Sequence, residues 1–256
     1  MKELKILSPG KRLKEIRKIL KLRQDEIAGD KFSKNYISMF ENNKRAINAI
    51  NATYLSNRIN EYAGLKGYDI NIDSSYLLKS DIDLAREKCE KWLEEVEFNL
   101  EITDYKYVKN LYRTIYLASK FELSNYRAEA LYLKGVFSLH NERYQCAMSQ
   151  LLGALVYYAR ENDLVYVSDI HEKIGIILYN KKELDQALVY FNLSYEIAIN
   201  SDAPDKDKLE ELKYYIALCY YEMKKYRIAE KMIGLTRNNS MKIFELTKKI
   251  NKELAI

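Results

Sequence analysis

Glycine and proline are scarce: the 256 residues hold 8 and 2 of them, about 3% and 1% against averages of roughly 7% and 5%. Few positions can take the tight turns that β-sandwiches, propellers and glycine-looped nucleotide folds need, so these classes are excluded. Histidine is as scarce as proline. His140 and His171 have no carboxylates around them at ligand spacing, and no GxSxG, P-loop or HExxH pattern occurs. Glu94, Glu95 and Glu97, and the pair Glu210 and Glu211, sit among lysines at helical spacing and read as solvated faces. No enzymatic activity, cofactor or metal site is expected. Nowhere do about 18 apolar residues run without a charge, and the opening MKELKILSPGKR has no signal-length apolar run. A cytoplasmic, soluble protein with no membrane partner is expected. Cys89, Cys146 and Cys219 are too few and too far apart for CxxC or Cys/His ligand sets, and they read as buried thiols.

What is present is apolar and aromatic. Hydrophobic residues make up 48%, and tyrosine alone contributes 23, which is enough to fill one or two cores and rules out wholesale disorder. The net charge of +5 conceals a split. Residues 1 to 66 carry 15 Lys or Arg against 7 Asp or Glu, a net of +8, whereas residues 67 to 256 carry 27 against 30, a net of −3. A basic head suits a polyanion, because lysine and arginine gain affinity for phosphate by releasing condensed counterions. Charge alone fits a solvated basic helix face equally well.

Pattern separates the two. From Gly10, Leu13, Ile16, Ile19 and Leu20 recur at helical spacing with Lys11, Arg12, Lys14, Arg17, Lys18 and Lys21 between them. A short second helix runs from Gln24 to about Asp30 around Ile27 and Ala28. Phe32 then enters the core, and Ser33 stands where it would cap a third helix through Phe40. Two short helices joined by a tight turn make a helix-turn-helix. A fourth helix from residue 47 to 62, with Ile50, Tyr54, Leu55 and Ile59 on one face, would close the bundle.

Arg17, the run Gln24-Asp25-Glu26-Ile27-Ala28, the run Ser33-Lys34-Asn35-Tyr36-Ile37-Ser38, and Glu41-Asn42-Asn43-Lys44-Arg45 together resemble the DNA-binding domain of phage-repressor-like (xenobiotic-response-element type) regulators, over residues 8 to 62. The short stretch from Ala28 to Ile37 is similar to that of the peptide-responsive Rgg and PlcR type. Asn43 replaces the usual glycine after the third helix, and asparagine also tolerates the left-handed backbone. The resemblance implies that the start of the third helix enters the major groove. Asn35 would then pair with adenine, Lys34 would donate to guanine or phosphate, Met39 would lie against a thymine methyl, and Ser38 would be their neighbour. Arg23, Gln24, Lys44 and Arg45 would hold phosphates and set register. Arg17 and Glu41 would form a structural ion pair, and Tyr36 and Ile37 would be core.

Residues 64 to 75 hold two glycines, turn formers and no helical stripe, and read as a linker between a domain at 1 to 63 and another at 76 to 256. The second domain repeats. Gly135, Tyr144, Ala147, Leu151 and Ala154 are matched at the same offsets by Gly175, Leu184, Ala187, Phe191 and Ser194, and again by Ala217, Tyr226, Ala229, Ile233 and Thr236. Small residues at three offsets and bulky ones at two resemble the tetratricopeptide repeat, in which the small residues let two antiparallel helices touch. Residues 82 to 100 and 105 to 121 read as one more helix pair, and Ser240 as the cap of a last helix carrying Ile243, Leu246, Ile250 and Leu254. The fold class expected is all-α: a helix-turn-helix bundle followed by a tetratricopeptide-like α-solenoid.

By the repeat pattern, first-helix residues face the groove: Glu129, Tyr132, Val136, Leu139 and His140; Asp169, Glu172, Ile176, Tyr179 and Asn180; Glu211, Tyr214, Leu218, Tyr221 and Glu222. Tyrosine offers apolar area with a polar tip, and asparagine can bond both backbone groups of an extended chain. That suits a short peptide, with Tyr132, Val136, Asp169, Glu172, Ile176, Tyr179, Asn180, Tyr214, Leu218 and Tyr221 as contacts. A groove that packs a neighbouring helix or a second subunit fits the same residues. The two domains in this order resemble the RRNPP class of bacterial quorum-sensing receptors. This implies a homodimeric transcription regulator that binds double-stranded DNA and a short oligopeptide. The alternative is a helix-turn-helix repressor whose repeats serve only protein contacts and dimerisation.

Overall fold

The computed structural model describes residues 6–97, 105–236 and 240–255. They fold as two compact units, 1–92 and 93–256, and the described residues are helical with no strand.

The first unit holds α1 (Pro9–Ile19), α2 (Gln24–Ala28), α3 (Lys34–Glu41), α4 (Ala49–Leu65), α5 (Ser74–Leu78) and most of α6 (Asp81–Glu97). Proline opens α1, where its missing N–H is not needed. Lys21 at φ 52 ends the turn after α1. The Ser33 hydroxyl caps α3 by accepting from the Tyr36 amide at 3.3 Å, and Asn48 caps α4 by accepting from the Asn51 amide at 2.9 Å. Leu13, Leu20, Ile27, Ile37, Phe40, Leu55 and Ile59 fill the core. Phe32 sits among the Tyr36, Phe40 and Tyr54 rings at 5.4 to 5.7 Å. Ile50, expected on the buried face of α4, is 71% exposed; Ala52 and Ser56 take the inward positions instead.

The stretch 64 to 75 is not a free linker. The Asn60 side chain donates to the Ile72 carbonyl at 2.8 Å and accepts from the Ile72 amide at 2.9 Å. Tyr68, Ile70 and Ile72 pack on the head's core, and Leu77 of α5 is fully buried in it. The reason is periodicity: apolar residues two apart make one face of an extended segment, which a search for helical stripes passes over. Arg12, 2% exposed, fastens α5 by donating to the Leu7 and Lys79 carbonyls. The first unit therefore continues to Trp92, and the boundary falls within α6.

The second unit stacks α7 (Tyr105–Lys120), α8 (Ser124–His140), α9 (Tyr144–Arg160), α10 (Leu164–Asn180), α11 (Leu184–Ile199), α12 (Lys206–Glu222), α13 (Tyr226–Ile233) and α14 (Met241–Leu254), each packed on the next. The three repeats are α8/α9, α10/α11 and α12/α13. At Gly135 an added Cβ would lie 2.7 Å from Leu151, and at Gly175 it would lie 2.6 Å from the Phe191 ring, so the small residue at the first offset exists for the bulky one sixteen later. The turns use a device the sequence reading missed. Glu122, Glu142, Asn162, Lys182 and Lys224 take positive φ. The next amide reaches back five residues, as from Arg143 to Ser138, Asp163 to Tyr158 and Glu183 to Leu178. This is the Schellman closure, made here without glycine. Leu246 and Ile250 bury α14, while Ser240 occupies its cap position without a side-chain bond. Among the described residues no helix is long and apolar enough to cross a membrane.

Candidate functional site

In the head, Glu41 organises the face between α1, α2 and α3. Its carboxylate, 1% exposed, accepts from Arg17 Nε at 2.5 Å and Nη2 at 2.9 Å, and from Gln24 Nε2 at 2.7 Å. The hydrogen bonds that Arg17 donates to Glu41 outweigh burial and raise Arg17 above its ordinary value. The expected ion pair is therefore present, and Gln24, expected to hold a phosphate, has its amide committed to that pair. Asn43, at φ 53, does more than end α3: its Oδ1 accepts from the Gly10 amide at 3.1 Å and its Nδ2 donates to Ser8 Oγ at 2.8 Å.

Around this frame the remaining basic and polar residues point outward. Lys34 and Asn35 on the first turn of α3 are exposed, and Ser38 and Met39 one turn on are half-buried. Ser38 also receives the Asn42 amide at its carbonyl, 2.8 Å away. Lys44 is exposed, and the Arg45 guanidinium lies 4.4 Å from the centre of the half-buried Tyr36 ring. Arg23, 76% exposed, meets Asp25 at 3.3 Å and Glu26 at 3.6 Å, contacts too exposed to hold it firmly.

In the repeats, the first helices α8, α10 and α12 are joined by a polar cluster. Tyr132 Oη donates to Asp169 at 2.5 Å, and Lys208 Nζ lies 3.1 Å from Asp169 and 3.5 Å from Glu172. Lys173 Nζ meets Glu172 at 3.0 Å and Asp169 at 3.7 Å. Two carboxylates face two ammonium groups, so the cluster is neutral. Burial works to raise Asp169, but Lys173, Lys208 and the Tyr132 hydroxyl outweigh it and hold the carboxyl below its ordinary value. Burial likewise works to lower Lys173, and Asp169 and Glu172 raise it overall. Burial, followed by the Asp169 charge, drives Tyr132 upward. Glu172 is 4% exposed. This corrects the expectation that it faces a ligand: its carboxylate is spent on Lys173 and Lys208. Neither lysine was singled out from sequence, because repeat offsets mark where a residue points and not which charge meets it.

Beyond the cluster, Tyr166 packs edge-on to Tyr132 at 5.1 Å and stacks on Tyr158 at 4.2 Å. Val136, Ile176, Tyr179, Tyr214, Leu218 and Tyr221 are half-buried, and Asn180 is exposed. Burial and the Glu222 charge push Tyr179 up to about 12, and the Lys182 ammonium lies 5.3 Å from its ring centre. Tyr214 borders a cleft of about 470 Å³ that includes Glu210, Glu211, Met241 and Ile243. Glu129, Leu139 and Tyr221 are partly covered, while His140, Glu211 and Glu222 are exposed. His171 is half-buried on α10 beside Tyr190, 5.7 Å away, and burial lowers its pKa. Among the described residues no group of His, Cys, Asp and Glu is placed to hold a metal. Cys89 and Cys219 are buried, and burial pushes their thiols up to about 11 and 12. Cys146 is exposed, against expectation, because its position falls on the outward face of α9.

Among the solved structures similar to this chain is that of the Bacillus thuringiensis PlcR in complex with the peptide PapR7 and DNA, at 13% identity and a TM-score of 0.45, with 97% of this chain and 88% of that one covered. No family model and no curated protein matches the chain.

Proposed function

We propose that the chain is a transcription regulator whose head binds double-stranded DNA as part of a dimer and whose repeats bind a short oligopeptide that modulates this. The observation that carries the reading is the exposed pair Lys34 and Asn35 on the first turn of α3, flanked by Lys44, Arg45 and Arg23 on a head of net +8. A helix presenting a donor-acceptor amide and an ammonium at its start is what major-groove readout requires, and basic residues beside it suit the phosphates. Selection from random duplexes of about 20 base pairs, two helical turns, followed by anisotropy titrations, tests it. Lys44→Ala should lower the slope of log affinity against log salt by about 0.9, and Asn35→Ala should change base preference by about 1 to 3 kcal/mol. Failure to enrich any sequence, with both variants binding as the parent does, rejects the reading.

For the peptide, Val136, Ile176, Tyr179, Asn180, Tyr214, Leu218 and Tyr221 are the contacts proposed, with Tyr132, Asp169 and Glu172 reaching it only from within the polar cluster. Coupling of about 1 to 3 kcal/mol would change DNA affinity roughly 5- to 150-fold, with the same factor in the peptide's affinity when DNA is present. Peptides recovered from producing cells and titrated by calorimetry, with and without DNA, measure it. The second reading, repeats that serve only protein contacts, is favoured by the neutral cluster of Asp169, Glu172, Lys173 and Lys208, which leaves those carboxylates no charge to offer a ligand. Equal peptide affinity in both titrations would remove the coupling, and no peptide binding in either would decide for the second reading.

A further inference from the structure

Helix α1 carries two arginines with little exposure, and they are satisfied in different ways. Arg17 meets the Glu41 carboxylate. Arg12, 2% exposed, has only neutral acceptors: Nη1 and Nη2 donate to the Leu7 and Lys79 carbonyls, and the guanidinium lies 5.4 Å from the centre of the Tyr76 ring. Its Nε is buried and has no acceptor among the described residues. Burial accordingly lowers Arg12 from its ordinary value, whereas Arg17 is raised. Folded proteins seldom leave a buried donor without a partner, and a buried cation is normally paired. The same arginine lines a cleft of about 610 Å³ between α1, α5 and α6, wholly within the first unit. Small-molecule sites span roughly 300 to 1,000 Å³. Ile19, 52% exposed, and Leu84 give the cleft apolar walls, and Lys18, Lys88 and Glu15 also border it. Arg12, Lys18 and Lys88 against Glu15 leave it an excess of positive charge.

We infer that this cleft binds a small molecule bearing a single carboxylate on a short aliphatic chain, with the carboxylate at Arg12 and the chain between Ile19 and Leu84. The carboxylate supplies the acceptor that Nε lacks, in a charge-assisted bond. Lys18, exposed at the rim, adds attraction from outside. The walls decide against a bare anion. An aliphatic chain covers Ile19 and Leu84 and gains by leaving water. Phosphate, doubly charged and more strongly hydrated, would give up water there for too few donors. Glu15, also exposed at the rim, repels a second negative charge and so selects a monoacid over a diacid. The site belongs to the head, whereas the peptide contacts proposed above belong to the repeats. Its occupancy is read with no DNA or peptide present, so it stands or falls apart from the proposed function.

Calorimetry of the full chain with octanoate as the probe should show one site with a Kd below about 1 mM. Octanol keeps the chain without the charge, inorganic phosphate keeps charge without the chain, and each should bind about tenfold more weakly or worse. Lys18→Glu reverses an exposed rim charge without disturbing the fold and should weaken octanoate about fivefold. Leu84→Trp should fill the cleft and weaken it about tenfold. Arg12→Met should abolish binding; because Arg12 also fastens α5, its thermal melt is recorded alongside, and Lys18→Glu decides if that variant does not fold. No heat with octanoate, octanol or phosphate binding as tightly as octanoate, or unaltered affinity in Lys18→Glu would each overturn the assignment. So would a loss of octanoate binding in Tyr214→Ala, which would place the acid in the repeats instead.

Discussion

Removing the Glu41 carboxylate is the most direct test of how the head is held together. Glu41 is 1% exposed and Arg17 13%, so neither charge has much water to fall back on. With alanine at position 41, the guanidinium keeps only the Leu22 carbonyl at 2.9 Å, and Gln24 Nε2 loses its acceptor. Breaking a buried pair in this way costs about 3 to 5 kcal/mol, because the surviving charge stays desolvated. The partial exposure of Arg17 puts Glu41→Ala near about 3. A unit of this size is stable by only about 5 to 14 kcal/mol, so the loss is large. Glu41→Gln keeps an acceptor oxygen without the charge and should cost about half as much. The double change Arg17→Met with Glu41→Leu removes both charges and should be close to neutral, since no ion is left buried. Urea unfolding followed by fluorescence reports on this unit through Trp92, the sole tryptophan, which is buried at its end within α6. A cost below about 1 kcal/mol for Glu41→Ala, or a double variant no better than the single one, would show that the pair is not the organising contact.

Gly175→Ala should destabilise the repeats by about 1 to 3 kcal/mol in thermal unfolding, through the clash with Phe191. Gly153→Ala is its control, because there the Cβ meets only Leu131 at 3.3 Å, and relief of helix-interior glycine should make it neutral or stabilising by up to about 1 kcal/mol. Asn43→Gly keeps the left-handed backbone but loses the bonds to Gly10 and Ser8, for about 1 to 2 kcal/mol by urea unfolding. The cluster on α10 has a definite pH window. Asp169 is held below 3.8, so its contribution is present above that value and fades as pH falls through the lowered one. Lys173 is held above 10.5, so its contribution is present below that value and fades as pH rises through the raised one. Between these limits the cluster contributes evenly, while His171, lowered by burial, withdraws stability as pH falls below 6.5, and the buried Cys89 and Cys219 thiols, raised by burial, withdraw it as pH rises above 9. Asp169→Asn should remove the cluster's acid limb from the profile of melting temperature against pH.

The repeat architecture was legible because its determinant is local. Gly135 with Leu151, and Gly175 with Phe191, are fixed distances in sequence that become fixed contacts in space, and five offsets in three copies reveal them. The head was legible for a similar reason: Ser33 and Asn43 mark the ends of α3 by their own backbone chemistry. The stretch after the head was not legible. Asn60 holding both backbone groups of Ile72 is a pairing at a spacing no periodicity predicts, so residues that look like turn formers serve as part of a packed unit. Left-handed turn residues such as Glu142 and Lys182 were hidden likewise, since nothing about glutamate or lysine announces positive φ.

The groove residues show where such reasoning stops. Offset from Gly175 correctly brings Asp169 and Glu172 onto the face of α10 shared with α8 and α12, where Tyr132 and Lys208 meet them. Yet the same offset rule assigns them to a ligand, because it contains no information on Lys208, which enters from the first turn of the following repeat behind the Asp205 cap. A carboxylate placed on an inner face must find a cation from somewhere, since burying it alone is prohibitive. In this chain the cation is supplied by the next repeat. The charge that first suggested a binding site thereby becomes a tie between the second and third repeats, and any ligand of that face must be recognised chiefly by its tyrosines and aliphatic residues.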